Sequence, residues 1–175
     1  MRNVLSSNDE AVRGTTRTMG KIQSALGFHY PQVVIPLVNA AGVTIDILMY
    51  EWKWYGHESA GGVQKLNLAY VAAARRGVKV RVLMNIESMG HAITRINSRT
   101  KSFLERYGIE VKWGQVGIVT HAKMVIIDDK VLVLGSHNYT KSAFSRNQEA
   151  SIVVNGRDEI VDYRKYFDDL WAQFS

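Results

Sequence analysis

From Thr120 to Leu134 the chain is two apolar stretches, Thr120–Ile127 and Lys130–Leu134, separated by the dipeptide Asp128-Asp129. Runs of this kind with two turn-forming residues between them predict a tight β-hairpin. The first run also carries His121 and Lys123. Side chains two apart on a strand point to the same side, so these two project together while Met124, Ile126 and their neighbours pack a core. Asp128 and Asp129 fall at the turn beyond. Ser136 and Asn138 share a parity as well, so both can reach one site from the neighbouring strand.

The rest of the sequence supplies the frame for that hairpin. Pro31 suits the first turn of a helix running to Ala41, with Gly42 as its stop. Val43–Tyr50 reads as a buried strand. Gly61–Arg76 has helical spacing, with Val63, Leu66, Tyr70 and Ala73 on one side and Gly77 at the end. Val78–Met84 alternates as a strand does, Thr94–Tyr107 is a second helix stopped by Gly108, and Ile109–Trp113 is a short strand. Strand, helix, strand, helix, strand predicts parallel pairing through right-handed crossovers. Ala150–Val154 is a further strand. Arg157–Phe174 is a closing helix with Ile160, Tyr163, Phe167, Leu170, Trp171 and Phe174 on one face. The expected fold class is α/β with α+β character: a central mixed sheet flanked by helices on both faces. A polar arm over residues 1–20, with Arg2, Arg13 and Arg17, precedes a single domain over 21–175.

Charge narrows the partners. The chain has 175 residues and a formal net charge of +6, which favours polyanions such as nucleic acid or anionic lipid heads. It has no cysteine, so disulfides and thiolate metal sites are excluded. The longest apolar stretch, Val33–Tyr50, is interrupted by Pro36, Asn39, Gly42 and Asp46, so no stable membrane insertion is expected. The N-terminus lacks the apolar segment of a signal peptide, and a cytoplasmic location is expected.

Read from His121, the sequence is H-A-K-M-V-I-I-D, followed by G-S-H-N at Gly135–Asn138 and by Glu149. This run resembles the phospholipase D superfamily. It matches the signature His, Lys and Asp, the following G-S-x-N and the downstream Glu. By length the chain is most similar to the small single-motif nucleases and phosphodiesterases. The resemblance implies a phospholipase D/nuclease-like fold. It also implies hydrolysis through a phosphohistidine on the first His, with a second His protonating the leaving group and no metal or other cofactor.

The residue types suit that chemistry. Phosphodiester cleavage needs a nucleophile, a proton for the leaving oxygen and donors for charge developing on phosphate. His121 is the candidate nucleophile. Lys123 offers a point charge to a non-bridging oxygen, and Asn138 and Ser136 offer neutral donors. Glu149 can accept from the other nitrogen of His121 and fix its tautomer. Asp128 has two readings: an acid orienting or pairing within the site, or a turn-forming Asp beside Asp129.

The mechanism implied by the resemblance requires two histidines, and the sequence holds one signature. His29, His57, His91 and His137 all lack a Lys two residues later. The second His must then come from another copy of the chain. A two-fold homodimer sets the same patch against itself, with His121 of each subunit in one site.

Several features bear on the substrate. Arg95, Arg99 and Arg106 form a basic stripe on the second helix, and Arg75, Arg76, Lys79 and Arg81 form another cluster. Both suit a phosphate backbone, and both are equally read as solvated faces. Tyr50, Trp52 and Trp54 share one strand face, either stacking on bases at the mouth of the site or packing in the core. The favoured expectation is a nuclease acting on DNA or RNA. The alternatives are a lipid-directed phospholipase D and a non-catalytic nucleic-acid-binding module.

Overall fold

The computed structural model describes residues 21–56 and 61–174. The arm expected over residues 1–20, and His57, lie outside the described residues. In chain order the elements are β1 (Lys21–Leu26), a short 3₁₀ turn (Gly27–His29), α1 (Tyr30–Ala40), β2 (Thr44–Met49), α2 (Gly62–Arg75), β3 (Lys79–Met84) and α3 (Ala92–Glu105). They continue with β4 (Glu110–Trp113), β5 (Lys123–Ile127), β6 (Val131–Gly135), α4 (Lys141–Ser145), β7 (Ala150–Asn155) and α5 (Arg157–Gln173).

The seven strands form one mixed sheet in the order β1-β7-β6-β5-β2-β3-β4. β2, β3 and β4 are parallel, joined by the crossovers α2 and α3. Every other pairing is antiparallel. The hairpin turn is the expected dipeptide: Asp128 and Asp129 both have φ 52°, and Lys130 N donates to Ile127 O at 3.0 Å. Positive φ at both central residues matches the right-handed twist of the flanking strands, and Asp tolerates it.

Strand parity divides the core into two layers. Ile45, Ile47, Val82, Val125, Ile127, Val133 and Val153 face one side, against Val34 and Val38 of α1, Leu66 and Tyr70 of α2, Leu104 of α3 and Phe144 of α4. Leu48, Leu83, Met124, Ile126 and Leu132 face the other side, where α5 lays Ile160 and Phe167 over them. Each fully buried side chain of this size stabilises the fold by about 1.5–3 kcal/mol. Of the predicted α5 face, Tyr163 is exposed instead.

A charged cluster sits under α5. Asp46 of β2 is fully buried, and its carboxylate pairs with Arg81 on β3 and Arg164 on α5. Arg164 also reaches Asp129 and Asp168, and both guanidinium groups lie over the Phe167 ring. The carboxylate would be costly to bury alone; two arginines satisfy it and fix where α5 crosses the sheet. Among the described residues, no helix is long and apolar enough to cross a membrane.

Three elements differ from expectation. β1 exposes all of its residues but Ala25, so it has too little apolar signal to be read as a strand. α4 is one short turn of helix, capped by Thr140 Oγ1 accepting from Ala143 N at 3.3 Å. β5 begins at Lys123 rather than Thr120. Thr120 N donates to the Asn85 side chain at 2.8 Å, so the segment entering the strand is held by an amide, not by a ladder.

Candidate active site

The rungs Leu48–Met124, Lys123–Gly135 and Gly135–Ser151 cross β2, β5, β6 and β7 at one edge of the sheet. This edge is the carboxyl end of the parallel strands, where open α/β sheets form their crevices. The sheet itself therefore aligns the start of β5 with the end of β6 and the start of β7.

Lys123 opens β5, and its residue is buried. Its ammonium donates to His121 O at 2.7 Å and lies over the Tyr50 ring, 5.0 Å from the centroid. Burial pushes this ammonium below the usual lysine range, and the Glu149 carboxylate partly draws it back up. The His121 ring is exposed and packs on Tyr50, with centroids 5.0 Å apart at an interplanar angle of 57°. Tyr50 is thus shared by the two residues that begin the signature.

Gly135 ends β6, and no side chain fits there. A Cβ would stand 2.1 Å from Ser151 Oγ and 2.4 Å from Ala150 O. The close approach lets Ser136 reach across to β7. Its N–H donates to Ala150 O at 3.0 Å, and its hydroxyl bonds the Glu149 carboxylate and accepts from Ala150 N at 3.1 Å. Asn147 Nδ2 holds the other oxygen of Glu149 at 2.9 Å. The expected Glu149–His121 bond is not formed in the protomer; Ser136 and Asn147 take both carboxylate oxygens. Asn138 Oδ1 accepts from Glu51 N at 3.3 Å, leaving its NH₂ as the group free to donate outward. Burial raises the Glu51 carboxyl, and nearby Lys53 opposes the rise.

Two residues of the sequence pattern have other places. His137, inside G-S-H-N, is fully buried. Its Nε2 donates to Gly27 O at 3.0 Å, because a carbonyl can only accept, and its Nδ1 meets Ser151 Oγ at 2.8 Å. The ring stacks on Tyr30 at 4.4 Å. Burial pushes this imidazole below its ordinary value, against the Gly27 bond and the charge of Glu149. It is a neutral packing residue. Asp128 sits at the far end of β5, away from His121 and Lys123. Its carboxylate accepts from the backbone N–H groups of Gly42, Val43 and Thr44 at 2.8–2.9 Å. Partial burial opposes ionisation, but those three donors and Lys130 hold the carboxyl below its usual range.

The aromatic and basic clusters are redistributed. Trp52 is fully buried, its Nε1 donating to Asn67 at 2.7 Å and its ring edge-on to Tyr139, so it is core. Arg76 caps the carbonyls of Val38 and Ala41, Lys79 pairs with Glu110, and Arg81 pairs with Asp46. That cluster serves the fold. Arg95 and Arg99 remain exposed on α3, and Arg106 is exposed at its C-cap. Sequence reading missed Glu51, Asn85 and the Asn147 support for Glu149, because lone polar residues outside a motif give no spacing signal.

Comparison with known proteins bears on the family and the fold. The family model described as "Cardiolipin synthase, PLD-like domain" matches residues 34–171. A mitochondrial cardiolipin hydrolase from Canis lupus familiaris is 30% identical over 101 residues, 58% of this chain and 38% of that protein. A phospholipase D from Rickettsia felis is 32% identical over 98 residues, 56% of this chain and 46% of that protein. The chain thus spans less than half the length of these curated relatives. The crystal structure of the phospholipase D family member Nuc from Salmonella typhimurium superposes with a TM-score of 0.74 at 21% identity, covering 89% of this chain and 97% of Nuc. With the family model spanning most of the sequence, the chain belongs to the phospholipase D-like domain family.

Proposed function

We propose that the protein is a metal-independent phosphodiesterase that cleaves nucleic acid at a site completed by two subunits. The observation that carries this reading is the exposed His121 ring beside the Lys123 ammonium, Ser136–Glu149 and Asn138, with no second histidine in contact with it among the described residues. His91 caps α3 through Nδ1, and His137 is buried.

In the proposed reaction, a ring nitrogen of His121 attacks phosphorus and the bridging P–O bond breaks. His121 of the second subunit gives its proton to the departing oxygen. Lys123 and Asn138 balance charge on the non-bridging oxygens. Water then attacks the phosphohistidine, gives a proton to the second imidazole, and frees His121. Glu149 and Ser136 position the phosphate-facing end of β6. Asp128 takes no part and secures the strand from its far end.

The subunit face has its own support. The loops entering α3 and β5 border this edge and expose Met89 (87%), Val116 (56%), Ile118 (59%) and Val119 (51%). An apolar rim around half a site suits a self-complementary two-fold contact. Nucleic acid is favoured by the net charge of +6 and by the exposed α3 arginines. The name of the canine relative supports a second reading, in which the phosphodiester belongs to an anionic lipid.

The test is incubation of the purified protein with single- and double-stranded DNA and RNA in EDTA, beside cardiolipin vesicles. Cleavage of an oligonucleotide is expected. Headgroup release from vesicles with every oligonucleotide intact would transfer the substrate to lipid.

A further inference from the structure

Beyond the sheet edge, two segments run side by side. Tyr139 N donates to Glu51 O at 2.9 Å, Lys53 N donates to Tyr139 O at 2.9 Å, and Trp52 bridges Tyr139 in parallel. Asn138 and Lys141 lie on one segment, Glu51 and Lys53 on the other. Tyr55 closes the end: its hydroxyl accepts from Lys141 N at 2.9 Å and its N–H donates to Gln64 Oε1 at 3.1 Å. The ring so anchored carries two ammonium groups, Lys53 Nζ at 5.3 Å and Lys141 Nζ at 4.9 Å from its centroid.

Both lysines are exposed, and among the described residues neither has a carboxylate within ion-pairing distance. Two other surface lysines do, Lys79 with Glu110 and Lys165 with Asp169, whereas Lys21, Lys65 and Lys130 pair with no carboxylate among the described residues. Among the described residues Glu51 is the acid nearest to Lys53 in sequence, and the pair outweighs it by one charge even when it is ionised. Lys53 follows Tyr50 by three residues, so it lies within about 11 Å of the residue that packs on His121. A backbone phosphate neighbouring the scissile one falls within that range.

We propose that Lys53, Lys141 and the Tyr55 ring between them form a subsite for the phosphate and base next to the scissile phosphodiester on a single-stranded nucleic acid. The inference rests on the nucleic-acid reading above and adds to it a place that a small diester cannot occupy. The ammonium groups take the flanking phosphate, and in turning to it they open a face of the ring to its base.

The test compares a single-stranded DNA oligonucleotide with bis(p-nitrophenyl) phosphate, using a Lys53→Gln/Lys141→Gln variant checked by thermal melting. On the oligonucleotide, KM rises at least tenfold, and the loss of kcat/KM exceeds the loss on the small diester at least fivefold. The slope of log binding affinity against log salt falls by about 0.7, the value for one single-strand phosphate contact removed. A Lys79→Gln/Lys165→Gln variant removes the same charge elsewhere and keeps the wild-type slope. Tyr55→Leu raises KM on the oligonucleotide more than Tyr55→Phe does, which keeps the ring but loses the bond from Lys141 N. Equal losses on both substrates, an unchanged slope, or the same change from the control pair would overturn the subsite while leaving the nuclease reading in place. A wild type that cleaves the small diester and vesicles but no oligonucleotide would overturn both.

Discussion

Asp128 and His121, two letters of one signature, stand at opposite ends of β5, roughly 20 Å apart along an extended chain. One belongs to the candidate site. The other receives three backbone N–H groups where the chain enters β2. The spacing between them measures the length of a strand rather than the width of a site.

Asp128→Asn should therefore act on stability. Asn tolerates the positive φ but carries no charge to hold three donors, so a loss of about 1–2 kcal/mol is expected. The folded carboxyl sits below its unfolded value. The stabilisation is therefore present above the unfolded pKa and lost as pH falls through the folded one. Urea titrations of wild type and variant should differ at pH 7 and converge in strong acid. A gap that persists unchanged at low pH would remove the charge from the explanation.

His121→Ala should lose at least about a thousandfold in rate on a small diester while keeping the wild-type oligomeric state. Light scattering and a chromogenic assay together check this. A fully active monomeric wild type would end the shared-site proposal.

Lys123→Ala should lower kcat/KM about a hundredfold or more, the cost of one charge on the transition state. Burial lowers the pKa of this ammonium, so the charged form needed for activity disappears as pH rises through a value below the ordinary 10.5. The alkaline limb of the pH–rate profile should fall there. Lys123→Arg, charged throughout, should lack that limb whatever its absolute rate.

Gly135→Ala should force β6 from β7, because the added carbon meets the Ala150 carbonyl as well as a movable hydroxyl. A loss of about 3 kcal/mol is expected, read as a lowered urea midpoint. A midpoint equal to wild type would show that the two strands part easily.

His137→Gln should flatten the acid side of the stability curve. The buried imidazole has a folded pKa below 6.5, so the unfolded chain binds the proton first as pH falls. Stability from this residue is thus lost between 6.5 and the folded value. Urea midpoints from pH 7.5 to pH 5 should drop less in the variant than in wild type.

The sheet was legible in the sequence wherever apolar periodicity was strong. β2, β3 and β5 each bury most of their residues, and their runs of Val, Ile and Leu announce it. β1 was illegible for the opposite reason: an edge strand with one buried residue has nothing to alternate against. The site residues His121, Lys123, Ser136 and Asn138 follow from the spacing of the signature, whereas the parity argument does not hold, since β5 begins at Lys123 and β6 ends at Gly135. The partner of Glu149 did not follow, because Asn147 lies only two residues away and is hidden by a turn. Asp128 read two ways because sequence order cannot tell which end of a strand a residue serves. Trp52 and Trp54 likewise share a parity, yet only the first is enclosed, since Asn67 and Tyr139 arrive from distant parts of the chain.

The corner after β1 ties into both flanks of the candidate site. Gly27 N donates to Glu149 O at 2.9 Å, and Gly27 O receives the His137 ring. The plain, solvent-washed edge strand is therefore a splint: a residue inserted between Leu26 and Phe28 would leave both hydrophobic layers whole yet slacken the two segments that must grip a phosphate.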